Sequence, residues 1–489
     1  MPLPNSIAKT PAILFVLLAA VSPGTAQRPA KAPPNLVLIL ADDLGYGEVG
    51  CYGQTKIRTP RIDALAAEGL RFTRAYCGAP TCAPSRCVLL TGRASPRAAI
   101  RGNREIKPEG QEPLPAAEVT IAEVLAERGY VSAACGKWGL GAVGSSGDPN
   151  AQGFDHFFGY ICQRQAHNLF PPHLWLDGRK LYLDNPDFSP HQKQPEGEVD
   201  ASRWHGREAA SDRILDDALG FIRRHRDRPF FLYLPLVEPH LALQPEPEWV
   251  DRYPREWDET PYRGENGYLP HPRPRAAYAA LISQLDDRVG RVVSLIDSLG
   301  LAEDTLIVFT SDNGPTHDVG GVDTRFFEST GGLRGRKGSL FEGGIRVPFI
   351  ARWKGRIRPG TQTAQVTAFQ DLLPTFAELG GRPHEGPTEG LSFSSAFERA
   401  PEAAARRLVF EFFEYGGQQA VIEGRWKAVR QQLHKGNTTI QLFDLDADPA
   451  EARDLAGDHP EIVVEMDRIL GAERTPNPVF PIAVLDERR

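Results

Sequence analysis

Continuous apolar runs set the architecture of this chain. Asn35-Leu36-Val37-Leu38-Ile39-Leu40-Ala41 shows no alternation of polar and apolar residues, so it reads as a strand covered on both faces, as in the interior of a parallel sheet. Val131 to Cys135, Pro229 to Leu236 and Thr305 to Thr310 repeat the pattern. Between them lie stretches with helical spacing: Thr59 to Leu70, with Pro at an early position, Thr120 to Arg128, Arg207 to Arg226 and Pro272 to Leu299. Strands alternating with helices from residue 35 to about residue 380 predict a doubly wound α/β domain. Ligands gather at the carboxyl ends of strands in such sheets. Asp42-Asp43 and Asp312-Asn313 occupy two of those ends. Beyond residue 380 short strand-like runs crowd together (Leu408 to Phe413, Gln419 to Glu423, Trp426 to Arg430, Thr439 to Leu445), followed by a helix near Glu461 to Leu470. The expected organisation is therefore a main domain over 35–380 and a smaller α+β subdomain over 381–489, a small antiparallel sheet with one helix.

The 489 residues suffice for sizeable cores, and the 41% hydrophobic and 24% charged fractions are those of a globular protein. The net charge of -7 comes with no long charged block, which speaks against nucleic acid or a membrane surface as partner. Residues 1–26 carry Lys9, an apolar stretch from Ala12 to Val21 and the small residues Gly24-Thr25-Ala26. This is the layout of a secretory signal peptide, too short to span a bilayer, followed by a Pro-rich linker over 27–34. The chain is expected to be exported, periplasmic or secreted, with no membrane attachment after signal removal. Its six cysteines, Cys51, Cys77, Cys82, Cys87, Cys135 and Cys162, fall in the first third.

One of them begins Cys82-Ala83-Pro84-Ser85-Arg86-Cys87-Val88-Leu89-Leu90-Thr91-Gly92-Arg93. A polar loop leads into a run with Pro two residues after the cysteine, so Cys82 is expected at the mouth of a helix, where negative charge is favoured. The pattern C-x-P-S-R followed by L-T-G-R resembles the signature of the type I sulfatases, the group that includes arylsulfatase A and N-acetylgalactosamine-6-sulfatase. Asp371-Leu372-Leu373-Pro374-Thr375, Gly424-Arg425-Trp426-Lys427 and Leu442 to Pro449 resemble later landmarks of the same family. The resemblance implies an alkaline-phosphatase-like sandwich with a large, mostly parallel central sheet flanked by helices. It implies that a formylglycine-generating enzyme converts Cys82 to the nucleophilic aldehyde formylglycine. It further implies that Asp42, Asp43, Asp312 and Asn313 hold one divalent ion, Ca²⁺ or else Mg²⁺, which also contacts residue 82.

The chemistry of these residue types agrees. Adjacent carboxylates repel unless compensated, and carboxylate and amide oxygens suit hard cations. A sulfate ester needs cations around its oxygens as charge moves to the leaving group. Arg86, Lys137 and Lys337 match family positions with that role, and His240, in Glu238-Pro239-His240, is the candidate general acid. One departure stands out: where the family carries Gly-Lys-Trp-His, this chain reads Gly136-Lys137-Trp138-Gly139. The absent histidine is the family's base for expelling sulfate, and His167 or His317 is expected to replace it or to contact substrate. The expected substrate is a sulfated sugar or an aryl sulfate, with loops and aromatics over Gln163 to Arg203 as a sugar-facing rim. The alternatives are a phosphatase or phosphonate monoester hydrolase of the same superfold, and a catalytically impaired glycan-binding relative, motivated by Gly139.

Overall fold

The computed structural model describes residues 1–2, 33–398 and 406–487. The expected signal peptide beyond residue 2, and the linker up to residue 32, lie outside the described residues. In chain order the strands are β1 (Asn35–Asp42), β2 (Leu70–Phe72), β3 (Ala75–Tyr76), β4 (Val131–Lys137), β5 (His156–Tyr160), β6 (His173–Leu176), β7 (Arg179–Tyr182) and β8 (Phe230–Pro239). They continue with β9 (Thr305–Ser311), β10 (Phe349–Arg352), β11 (Thr361–Thr363), β12 (Thr367–Ala368), β13 (Arg407–Phe412), β14 (Gln418–Glu423), β15 (Trp426–Gln431) and β16 (Gln441–Asp444). The helices are α1 (Pro60–Ala67), α2 (Cys82–Thr91), α3 (Ile121–Ala126), α4 (Ala210–His225), α5 (Pro247–Val250), α6 (Pro274–Ser298), α7 (Glu342–Ile345), α8 (Leu372–Leu379), α9 (Pro460–Ala472) and α10 (Ala483–Asp486).

A ten-stranded sheet runs β11-β2-β10-β9-β1-β8-β4-β5-β6-β7. Its centre, β9-β1-β8-β4-β5, is parallel throughout, and antiparallel pairings appear at both flanks, where β10 meets β9 and β2, and β6 meets β5 and β7. The sheet is therefore more mixed than the apolar runs alone predict. Short edge strands with one exposed face lack the continuous apolar signature that reveals the centre. Alternate residues of β1 enter opposite cores: Leu36, Leu38 and Leu40 pack with residues of α2, α3 and α8, whereas Val37, Ile39 and Ala41 pack with residues of α1, α4 and α6. That is a three-layer sandwich built from one strand's two-residue period.

The second sheet is antiparallel in the order β13-β14-β15-β16. One of its faces, with Phe410, Phe412, Ile422 and Phe443, joins the core beneath α2 and α8, and the other, with Val421, Ala428 and Leu442, is covered by Met466, Ile469 and Leu470 of α9. A fully buried Lys427 on β15, hydrogen-bonded to Glu342 of α7 and ion-paired with Glu451, each at 2.9 Å, pins this sheet to the main body. Residues from 33 onward form one compact unit. Among the described residues no helix is long and apolar enough to cross a membrane.

Candidate functional site

Register brings the carboxyl ends of the central strands together. Ala41 lies opposite Ser311, so Asp42 and Asp43 leave β1 beside Asp312 and Asn313 leaving β9, and the Asp312 amide donates to the Ala41 carbonyl at 3.0 Å. On the other side Asp42 lies opposite Pro239, across an irregularity that places His240 next to the pair. Asp43 has φ +66, a left-handed conformation that non-glycine residues adopt mainly where the surroundings impose it. Here its amide donates to Asp312 Oδ1 at 3.1 Å and its side chain accepts from Asn313 Nδ2 at 2.7 Å.

The helix α2 points its first turn at this cluster. Cys82 is its first residue, and the Cys82 Sγ lies 3.5 Å from Asp42 Oδ1. One turn on, the Arg86 guanidinium donates to Asp312 Oδ2 at 3.1 and 2.8 Å and to the Lys137 carbonyl at 2.5 Å, while the Ser85 hydroxyl donates to the Asp312 carbonyl. Lys137, the last residue of β4, donates to Asp42 Oδ2 at 2.5 Å, and Lys337 donates to Asp43 Oδ2 at 2.8 Å. His240 Nε2 sits 3.5 Å from Asp43 Oδ2, and its Nδ1 donates to the Leu241 carbonyl at 2.8 Å, which fixes the ring with Nε2 toward the carboxylates. All of these side chains are buried or nearly so.

Three carboxylates are thus matched by three cations. Burial alone would raise Asp42, but Lys137, His240 and Arg86 outweigh it and hold the carboxyl far below its usual range. Asp43 is lowered against its own burial by Lys337 and His240. Asp312 is pushed up to about 6, by burial and then by the like charge of Asp42. Burial, reinforced by Lys337, pushes His240 down to about 4. Burial raises the Cys82 thiol to about 12 in spite of Lys137 and Lys337, so an unmodified thiol is protonated at neutral pH and a weak nucleophile.

A cation fits the donor set. Asn313 spends its Nδ2 on Asp43 and on the Gly314 carbonyl, and its buried Oδ1 has no hydrogen-bond partner among the described residues. A buried acceptor without a donor, beside three carboxylates, is an environment that a hard divalent ion satisfies. Ligand atoms of Asp42, Asp43, Cys82 and His240 also lie within 4.8 Å of one another.

His167 and His317 do not join the ion cluster. The His167 ring stacks on His240 with centroids 4.8 Å apart and planes at 15°. Burial, then His240, Lys137 and Lys337, hold it well below the usual histidine value, so it is neutral. His317 is bonded instead to the Tyr415 hydroxyl at 3.1 Å. The structure adds Tyr268 and Tyr415, which sequence reading passes over, and singles out His191 within the expected rim. His191 and Tyr268 pack on His167, with centroids at 5.5 and 5.4 Å. Tyr415 comes from the turn between β13 and β14, so the small sheet lends a side chain to the rim. Gly139, with φ +86, leaves space that Gln163 fills: a Cβ on Gly139 would lie 2.7 Å from Gln163 Nε2, a buried donor without a partner among the described residues.

Comparison with known proteins places this geometry in a family. The sulfatase family model matches residues 34–382, and the model described as N-sulphoglucosamine sulphohydrolase, C-terminal, matches residues 336–474. Arylsulfatase A of Homo sapiens is 35% identical over 91% of this chain and 88% of its own length. The N-acetylgalactosamine-6-O-sulfatase of Bacteroides thetaiotaomicron is 30% identical over 90% and 93%. Among solved structures, the crystal structure of Ps i-CgsB superposes with a TM-score of 0.73 at 27% identity, covering 91% of this chain and 94% of that one. The extent of these matches, across both the large sheet and the small one, shows that the chain belongs to the sulfatase family and is a sulfuric ester hydrolase.

Proposed function

We propose that the chain hydrolyses the sulfate ester of a sulfated carbohydrate, with formylglycine made from Cys82 as nucleophile and a divalent ion, Ca²⁺ rather than Mg²⁺, held by Asp42, Asp43, Asp312 and Asn313. The observation that carries this reading is the placement of Cys82 at the first turn of α2, 3.5 Å from Asp42, inside a ring of three carboxylates and three cations. A hydrated aldehyde there supplies a hydroxyl nucleophile, and the cation supplies charge stabilisation for that hydroxyl and for a sulfate oxygen. Because Arg86, Lys137 and Lys337 already balance the carboxylates, a divalent ion leaves the centre with surplus positive charge, the condition for holding a sulfate group. Ca²⁺ is favoured because it accepts several carboxylate and amide oxygens in irregular geometry, whereas Mg²⁺ keeps its waters.

The protein's own groups then divide the work. Lys137 and Lys337 neutralise the non-bridging oxygens, and Arg86 fixes Asp312 and the Lys137 backbone. His240, whose Nδ1 is held by the Leu241 carbonyl, takes up a proton at Nε2 when the anionic sulfate ester binds beside it and passes that proton to the departing alcohol. His167, neutral and stacked on His240, is the base that replaces the histidine absent at Gly139; its loss should leave enzyme trapped in the sulfated state. His317, bonded to Tyr415, contacts substrate. The sugar preference is supported by the aromatic rim of His167, His191 and Tyr268 and by the amino-sugar relative. The phosphatase and impaired-binder alternatives gain no supporting observation of their own.

The test is the mass of the tryptic peptide Ala75 to Arg86 from protein made in its own host, where a formylglycine-generating enzyme acts. An aldehyde in place of the Cys82 thiol is expected, together with faster turnover of an aryl sulfate than of the matching phosphate. An intact thiol in active enzyme refutes the nucleophile.

A further inference from the structure

We propose a second metal site, for zinc or a similarly thiophilic divalent ion, formed by Cys135, His156 and Asp217 on the α4 side of the large sheet. Cys135 lies on β4, His156 opens β5 and Asp217 is on the face of α4 that packs against both. Their ligand atoms all lie within 4.8 Å of one another. Asp217 Oδ2 is 2.6 Å from His156 Nε2 and 3.5 Å from Cys135 Sγ.

A second feature, independent of that grouping, marks a metal site. His156 Nδ1 is bonded to Asp177 Oδ2 at 3.1 Å. Asp177 is itself fixed, because its other oxygen accepts the Phe157 amide at 2.7 Å and Asn150 Nδ2 at 3.4 Å. A carboxylate on the far nitrogen orients the ring and raises its basicity, and the Nε2 lone pair becomes free for a metal once the proton shared with Asp217 leaves; zinc-bound histidines almost always donate their far N–H to a carboxylate, a backbone carbonyl or water. The Phe221 ring lies parallel to the imidazole within 6°, with centroids 6.5 Å apart.

The donor set selects the ion. Thiolate, imidazole and carboxylate suit zinc, and are poor company for Ca²⁺ or Mg²⁺. Bond lengths of about 2.0–2.3 Å place tetrahedral ligands about 3.3–3.6 Å apart. The Cys135 to Asp217 separation already meets this, and the His156 to Asp217 contact must open by about 0.7 Å as the metal replaces the proton between them. Binding releases the thiol proton and that shared proton. Cys135 is fully buried while His156 and Asp217 keep 16% and 22% of their side chains exposed, so the ion enters from solvent and reaches the sulfur last, with the fourth position left to water. The consequence is a clamp holding α4 to β4 and β5, distinct from the centre at Asp42.

The probe is Co²⁺, a spectroscopic substitute for Zn²⁺, added to the full-length protein already saturated with Ca²⁺. A thiolate-to-cobalt charge-transfer band in the near ultraviolet is expected in the wild type and in Cys82→Ser, lost in Cys135→Ser and bleached by one equivalent of Zn²⁺. His156→Gln, which retains a polar side chain of similar reach, is expected to weaken Co²⁺ binding by at least about 10-fold. No band in the wild type, a band surviving Cys135→Ser, or unchanged affinity in His156→Gln overturns the site.

Discussion

Gly139 offers the sharpest test of how this chain departs from its family. Replacing it by Ala imposes two separable costs. The first is conformational: φ is +86, and a side chain in the left-handed region costs roughly 1–2 kcal/mol. The second is steric, since the new Cβ would meet Gln163 Nε2 at 2.7 Å, Cγ at 2.9 Å and Cδ at 3.1 Å. Overpacking of a buried site costs about 1–3 kcal/mol, so Gly139→Ala is expected to destabilise by about 2–5 kcal/mol in total. In a Gln163→Ala background the steric part disappears and about 1–2 kcal/mol remains. A double-mutant cycle should therefore show a coupling of about 1–3 kcal/mol between the two positions. Urea unfolding measures it where unfolding is reversible, and melting temperature at one fixed scan rate ranks the four proteins where it is not. The same geometry predicts that Gly139→His, which restores the family residue, lowers aryl sulfate turnover, because the imidazole must displace Gln163. Equal costs of Gly139→Ala in both backgrounds would refute the claim that Gln163 holds this space.

Lys427→Met leaves Glu342 and Glu451 buried without their shared cation, and removal of one partner from such a group costs about 3–5 kcal/mol; a melting temperature unchanged from wild type would show that the cluster does not anchor the small sheet. His271 is pushed down to about 3, by burial and then by His205. Its folded value lies below the unfolded 6.5, so the native state rejects the proton: the stability is full above about pH 6.5 and is lost as pH falls toward 3, at about 1.4 kcal/mol per unit. Between pH 7 and 5 the wild type should lose about 2 kcal/mol more than His271→Asn, and parallel pH profiles of the two proteins would contradict this.

Much of the site was legible because the chemistry sits where chain direction alone brings strand ends together. Asp42-Asp43 and Asp312-Asn313 each follow an apolar run, and parallel neighbours must deliver both to the same edge of the sheet. The Cys82 helix was equally visible, since Pro84 and the apolar run after it define an N-terminus. The flanks were less so. The hairpin β6–β7 falls in a stretch that reads as loops, although its turn, Asp177-Gly178 with φ of +44 and +77, is the Asp-Gly pair that two-residue hairpins favour. The rim was foreseen only in the stretch from Gln163 to Arg203, and its individual side chains escaped for a different reason. Tyr268, His191 and Tyr415 arrive from three separate excursions, each with a local sequence typical of surface turns, and nothing periodic links them.

Gly139 shows where sequence and structure need each other. The motif reveals that a histidine is missing, but a glycine in a loop carries no information about what stands in its place. Only the packing does: Gln163, twenty-four residues on in the chain, projects a buried amide into the vacated volume, and the neutral His167 ring lies against His240. The space beside Gly139 is thus filled from the segment that follows β5, which also carries His167. Gln163 and His167 stand on one short stretch, between the glycine that replaces the family histidine and the ring stacked on His240, so variants of the two should alter turnover and sugar preference together.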